Sequence, residues 1–126
     1  MSITEEEYAL FEKLVYNNNI EKFKEMVTGL EDINIQNKYG WTLLHITIRR
    51  DRKEMVNFLL DSGADIDKTD GVGWTPLMEA IMDDKLELVK LLVEKSADKS
   101  IANARGATAP MLAQKFARKE MYEYLS

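Results

Sequence analysis

The chain has 126 residues, 45% apolar and 31% charged, and a formal net charge of −5, which suits one domain and is too short for two ordinary ones. Cysteine is absent, so disulfides, iron–sulfur clusters, thiolate zinc sites and cysteine nucleophiles are excluded. The single histidine, His45, rules out two-imidazole metal sites and the His-Glu-x-x-His zinc motif, and a serine triad would have to use His45 itself.

An acidic balance argues against nucleic acid, whose phosphates need a basic face. The opening Met-Ser-Ile-Thr-Glu-Glu-Glu is acidic where a secretion signal is basic, and no apolar run follows it, so a cytoplasmic location is expected. Runs such as Leu91-Leu92-Val93 fall far short of the roughly 20 apolar residues that cross a bilayer, and no membrane association is expected.

Self-similarity sets the organisation. Gly40-Trp41-Thr42-Leu43-Leu44-His45 returns one period later as Gly73-Trp74-Thr75-Pro76-Leu77-Met78, and after a second, equal interval as the weaker Gly106-Ala107-Thr108-Ala109-Pro110-Met111. Met55 to Leu60, Leu88 to Val93 and Met121 to Ser126 keep the same period without insertion. Each unit reads as two short helices followed by a hairpin-like loop, so the chain is an all-α solenoid of four stacked helix-turn-helix units in a single domain, 1–126. The approximate units are 1–36, 37–69, 70–102 and 103–126, the first and last acting as caps.

In chain order, Thr4 and Glu7 form a Thr-x-x-Glu capping box, with Ile3 and Tyr8 at the staple positions, so the first helix starts near Glu5. Phe11, Leu14, Phe23, Met26 and Val27 supply its unit's apolar stripes, and Gly29 is expected to end the second helix as Gly63 does in the next unit, by a left-handed cap. In the second unit Leu44, Thr47 and Ile48 mark one stripe and Met55, Val56, Leu59 and Leu60 another. Asp65-Ile66-Asp67-Lys68-Thr69-Asp70-Gly71-Val72-Gly73 and its counterparts are rich in turn formers. The last unit is expected to close the solenoid at Ser126 after using Tyr122 and Leu125. Helices this short are marginal alone, so the units must stack.

The 33-residue period, Gly-x-Thr-Pro-Leu entering an inner helix and Gly63-Ala64-Asp65-Ile66-Asp67 leaving an outer one together resemble the ankyrin repeat, over roughly residues 6 to 126. The resemblance implies L-shaped units, a concave surface made of hairpins and inner helices, and binding of another protein. It also gives His45 a structural role, hydrogen-bonding the neighbouring hairpin. The departures from the family pattern carry expectations of their own. Leu43 replaces a proline, Thr47 and Ile48 replace small alanines, and Met78 with Glu79 replaces the histidine and its apolar neighbour. Asp51, Asp84 and Ser96 stand where glycine is usual, so strained or reshaped turns are expected there. Pro110 sits one residue later than Pro76, which implies a one-residue shift in the last inner helix.

Chemistry other than binding finds little support. Asp65 to Gly71 fails as a calcium loop, having Asp70 at the sixth place and Pro76 at the twelfth, and its carboxylates are expected to bond turn N–H groups instead. Asp83-Asp84 and Glu5-Glu6-Glu7 read as solvated helix ends rather than acid–base pairs. No catalytic residue, metal or cofactor is expected.

Positions that face the groove in ankyrin repeats are occupied by Lys38, Tyr39, Trp41, Arg49 and Arg50 in the second unit and by Val72, Trp74, Met82 and Asp83 in the third. Arg105 and Lys115 occupy them in the fourth, and Tyr16 and Asn17 in the first. Trp, Tyr and Arg are the types enriched at interface hot spots. Trp41 and Trp74, one repeat apart, should form a ladder on helices about 8–10 Å apart, although structural packing explains the rings equally and solvation explains Arg49, Arg50, Arg52 and Lys53. Residues 1–33 carry 3 basic and 8 acidic groups and 101–126 carry 4 and 2, so the long axis runs from −5 to +2. The expected function is a non-enzymatic module, monomeric when free, that captures or blocks one protein partner, in the manner of a small inhibitor or immunity-type protein. A self-assembling structural solenoid is the alternative, and an enzyme or metal-binding protein a remote one.

Overall fold

Threonine stands before each inner helix, and in the first three its side chain fixes where the chain begins to coil. The structure, a computed structural model, describes residues 4–126. In chain order its helices are α1 (Glu5–Tyr16), α2 (Ile20–Thr28), α3 (Leu43–Arg49), α4 (Lys53–Asp61), α5 (Pro76–Met82), α6 (Leu86–Glu94), α7 (Ala109–Lys115) and α8 (Lys119–Leu125). The Oγ1 atoms of Thr4, Thr42 and Thr75 accept from the N–H groups of Glu7, His45 and Met78, satisfying donors that a helix start leaves open. The staple partner Ile3 lies outside the described residues. α7 begins one residue after Thr108, as α5 begins one residue after Thr75. The shift expected from Pro110 therefore does not occur: a proline is accommodated at the second helical position as well as the first, because neither N–H there has an intrahelical acceptor.

The odd-numbered helices stack α1 on α3, α3 on α5 and α5 on α7, each also packing against the helix that follows it, while α2 packs on α4 and α6 on α8. Side chains one repeat apart line up through the core. Leu44 and Leu77, Ile48 and Ile81, Val56 and Val89, and Leu59, Leu92 and Leu125 are all buried. Thr47, larger than the alanine it replaces, is fully buried and turns its hydroxyl back onto the carbonyls of Leu43 and Leu44 at 2.8 and 3.1 Å, so no polar atom is stranded.

The turns between paired helices keep one shape throughout. Asn18, Asp51, Asp84 and Ala117, at the same place in successive repeats, are left-handed with φ of 54, 57, 57 and 57°, and Ser96 matches Gly63 with φ of 73 against 97°. The turns at Asp51, Asp84 and Ser96 are therefore not reshaped. Asn and Asp tolerate this region through their short polar side chains, and the strain expected at the aspartates falls instead on Ala117. Gly29 is a correction of another kind: it closes α2 with φ of −83°, in the right-handed region, so its lack of a Cβ is not what ends that helix.

Arg52, a solvated charge by its sequence context, reaches back across the stack. Its Nε and Nη2 donate to the carbonyls of Val15 and Tyr16 at 2.8 and 2.7 Å at the end of α1, the first of which also accepts the Asn18 N–H. Arg118 does the same for Ile81 and Met82 at the end of α5. Lys85, midway between them, lacks the planar fork and meets only Asp51 at 3.9 Å. Arg52→Ala should therefore cost about 1–2 kcal/mol, whereas Lys85→Arg should gain about 0.5–1 kcal/mol by supplying the missing clamp to the end of α3. Urea unfolding of both variants checks this; a Lys85→Arg midpoint unchanged from the parent would show that the central unit has no use for such a clamp.

Candidate functional site

The site begins with the hairpins. Asn37, Asp70 and Asn103 recur once per repeat, and the Oδ1 of each accepts two backbone N–H groups: Tyr39 and Trp41, Val72 and Trp74, Arg105 and Ala107. The Asp65 carboxylate likewise accepts from the Asp67 N–H at 2.9 Å. These side chains shape turns, as an Asx residue does. The hairpins then join edge to edge, Gly71 N–H donating to the Tyr39 carbonyl at 3.0 Å and Ala104 N–H to that of Val72 at 3.3 Å. The approach is so close that a Cβ on Gly40, whose φ is +80°, would lie 2.4 Å from the Gly71 nitrogen.

His45 links this edge to the inner helices. It completes the capping box of α3 by accepting the Thr42 N–H on Nδ1 at 3.2 Å, and its Nε2 lies 2.9 Å from the Trp74 carbonyl. An acceptor at Nδ1 and a carbonyl at Nε2 select the neutral tautomer with its proton on Nε2, and burial holds the pKa below the ordinary 6.5. One unit earlier the Tyr8 hydroxyl donates to the Trp41 carbonyl at 2.7 Å, and burial pushes the phenol's pKa upward. Both tryptophans are thus held by their backbones, leaving the rings to the groove.

Three adjoining depressions receive the groove residues. In the first, of about 440 Å³, Lys38, Tyr39 and Trp41 face Tyr8 and Glu12. The second, of about 400 Å³, is lined by Trp41, Arg49, Arg50 and Asp83 with Glu12 and Val15. The third and largest, about 840 Å³, gathers Val72, Trp74, Met82, Arg105 and Lys115 with Met111 and Phe116. Lys38, Tyr39, Trp41 and Arg49 form one continuous stack. The Lys38 ammonium lies 5.2 Å from the Tyr39 ring, that ring 5.1 Å from Trp41, and the Arg49 guanidinium 4.3 Å from the Trp41 ring. Arg50 lies 4.8 Å from the ring of Tyr16. Among the described residues the ring contact of Trp41 is with Tyr39, its hairpin neighbour, and the Arg49 guanidinium lies over the same ring.

Ion pairing divides the two sides of the molecule. Pairs between repeats, Lys24 with Glu54 and Lys95 with Asp61, join outer helices. Among the described residues Lys38, Arg49, Arg50, Arg105 and Lys115 make none. Their charges remain available to a partner, and the aromatic faces beneath four of them hold the cations in place at little cost in hydration.

Two features escaped the sequence reading. Met111 stands off the buried stripe of α7, and Phe116 caps the end of that helix; both are exposed in the third depression, and the departure of Met111 from helical periodicity could have revealed it. The second is a carboxyl pair, Glu79 and Asp83, four residues apart on α5. Burial, then the hydrogen bond and charge of Asp83, push Glu79 up to about 8, against which Arg49 pulls weakly. Among the described residues the buried Oδ2 of Asp83 meets no N–H donor, and a protonated Glu79 is placed to serve Asp83 as one. The like-charged spacing of i to i+4 was the available signal.

The sign of the linkage follows from the shift. Unfolded, Glu79 loses its proton near the ordinary 4.5, while folded it keeps it to about 8, so its contribution is complete below the lower value and is lost as pH rises through the upper one. Glu79→Gln keeps a donor toward Asp83 without the charge. It should stabilise by about 1 kcal/mol or more at about pH 8.5 and by almost nothing at about pH 4. Melts at the two pH values check it; an equal gain at both would show that the proton does not reside on this pair.

Among the described residues no helix is long and apolar enough to cross a membrane. A search of curated proteins finds no significant match. A family model described as ankyrin repeats in three copies matches residues 11–103 and again residues 54–126. With that match laid over the stacked repeats, their edge-joined hairpins and their paired helices, the chain belongs to the ankyrin-repeat family, whose repeats are protein–protein interaction modules.

Proposed function

We propose that this domain, residues 1–126, is a non-enzymatic binding module, monomeric when free, that captures or blocks one cytoplasmic protein partner by covering it with the concave hairpin and inner-helix surface. The observation that supports this is the run of unpaired cations on aromatic faces, Lys38, Tyr39, Trp41 and Arg49, beside Arg50 and the ring of Tyr16. Such groups combine a large apolar contact with charge at small conformational cost, as interface anchors do. An inhibitor or immunity-type role is the form this takes when the covered surface is the partner's own active one.

Affinity capture from the native host, followed by binding measurements with the purified partner, tests the reading. Trp41→Ala or Trp74→Ala should weaken binding by about 2 kcal/mol or more, mainly through faster dissociation. Arg49→Glu combined with Arg50→Glu should instead slow association with an acidic patch and flatten its salt dependence. Substitutions at Lys90 and Lys95 on the outer helix side should leave the affinity unchanged. Loss with the outer lysines and none with the tryptophans would move the site to the convex face and end the proposal.

A further inference from the structure

We infer that the depression between the third and fourth repeats takes an acidic protein segment bearing one large apolar side chain, which fills the depression while carboxylates beside it meet Arg105 and Lys115. This rests on the groove reading above and adds the chemistry of the partner.

The volume of about 840 Å³ is within the range that encloses a bulky side chain and its neighbours, about 300–1,000 Å³. It is the most apolar of the three depressions. Val72, Met111 and Phe116 are 59, 53 and 39% exposed, and all three line the same space above the half-buried Trp74. Large apolar side chains exposed singly are ordinary, but several converging on one concavity mark a surface that something covers.

The charges select what covers it. Among the described residues Arg105 and Lys115 are the only charged ones lining this depression, both are exposed, and neither is ion-paired. They project from the hairpin and from the end of α7, so they flank the apolar floor from two elements. Asp83 and Glu12 line the neighbouring depression instead. The long-range field agrees: the fourth unit carries 4 basic and 2 acidic groups, and the first carries 3 and 8. An acidic segment is drawn to this end of the groove and repelled from the other, which gives it a direction as well as a place.

Nuclear magnetic resonance titration of the full chain can test this with the peptide Gly-Asp-Asp-Phe-Asp-Asp-Gly as probe. Saturable amide shifts are expected around Val72, Ala104, Arg105, Gln114 and Phe116. Replacing the four aspartates of the peptide by lysine, or its phenylalanine by alanine, should each weaken binding at least about tenfold. Arg105→Glu with Lys115→Glu should do the same, and since both side chains are exposed the variant's unshifted spectrum elsewhere reports an intact fold. Lys90→Ala, on the outer helix side and away from this depression, should leave this affinity within about twofold.

No binding of the acidic peptide, equal binding of the lysine peptide, or an unaltered affinity in the double charge variant would each overturn the inference. Shifts confined to Trp41, Arg49 and Arg50 would overturn it while leaving the groove reading in place. Sedimentation of the free chain supplies the remaining control: dimerisation that the same Arg105 and Lys115 changes abolish would make a second copy the occupant and overturn the partner proposed here.

Discussion

Removing the chain from Gly106 onward should collapse the protein rather than shorten it. α7 packs on α5 and α8 on α6, so the deletion strips the cover from one side of Leu88, Leu92, Ala80 and Ile81, all buried in the intact molecule. Returning several such side chains to water costs about 1.5–3 kcal/mol each, and a small domain has only about 5–15 kcal/mol of net stability to lose. Repeat stacks also lose the interface energy that makes their unfolding cooperative. The truncated chain should melt far below the parent or associate through the bared face, as calorimetry and light scattering would show. A monomer with an unchanged melting temperature would mean that the units do not depend on their neighbours.

Leu59→Ala and Leu92→Ala should each cost about 2–5 kcal/mol, the range for buried leucines whose sites cannot collapse. Leu59 and Leu92 are fully buried, on α4 and α6, and their surroundings are fixed by helices on more than one side, which keeps the cavity open. Trp41→Ala removes more atoms yet should cost much less. Its ring is only half-buried, and the bonds at that position are made by its backbone, the N–H to Asn37 Oδ1 and the carbonyl from the Tyr8 hydroxyl. Both survive the substitution. Denaturant unfolding of the three variants compares them directly, and a loss at Trp41 equal to that at Leu59 would make the tryptophan a core residue whose ring holds the stack together.

The fold was legible in the sequence because each unit repeats its own local instructions. Thr42 and Thr75 announce helix starts, Gly63 announces an end, and the apolar stripes return at the same interval in every unit; these signals act within a few residues of themselves. What escaped depends on contacts that no local window contains. Arg52 finds its acceptors 36 and 37 residues away, so alone it resembles any surface arginine. Glu79 becomes a proton holder only when Asp83 and the packed groove surround it. Pro110 misled because a local rule about the first helical position was applied more strictly than the open N–H groups require. The groove positions were placed through the repeat's geometry, but which neighbour each aromatic would meet was a matter of side-chain competition, which put Arg49 against Trp41.

The unequal clamps have a consequence in salt. Arg52 fastens the first helix pair to the second and Arg118 fastens the third to the fourth. Between the middle pairs Lys85 offers a long ion pair and, on the outer side, Lys95 meets the exposed Asp61 at 3.1 Å, while the hairpin side carries the Gly71 N–H to the Tyr39 carbonyl, the Gln36 amide to the Thr69 carbonyl, and His45 to the Trp74 carbonyl. The two middle pairs are thus joined on the outer side by exposed ion pairs, which salt screens, and along the hairpin edge by hydrogen bonds, which it does not, so rising ionic strength loosens the outer side of the central junction first.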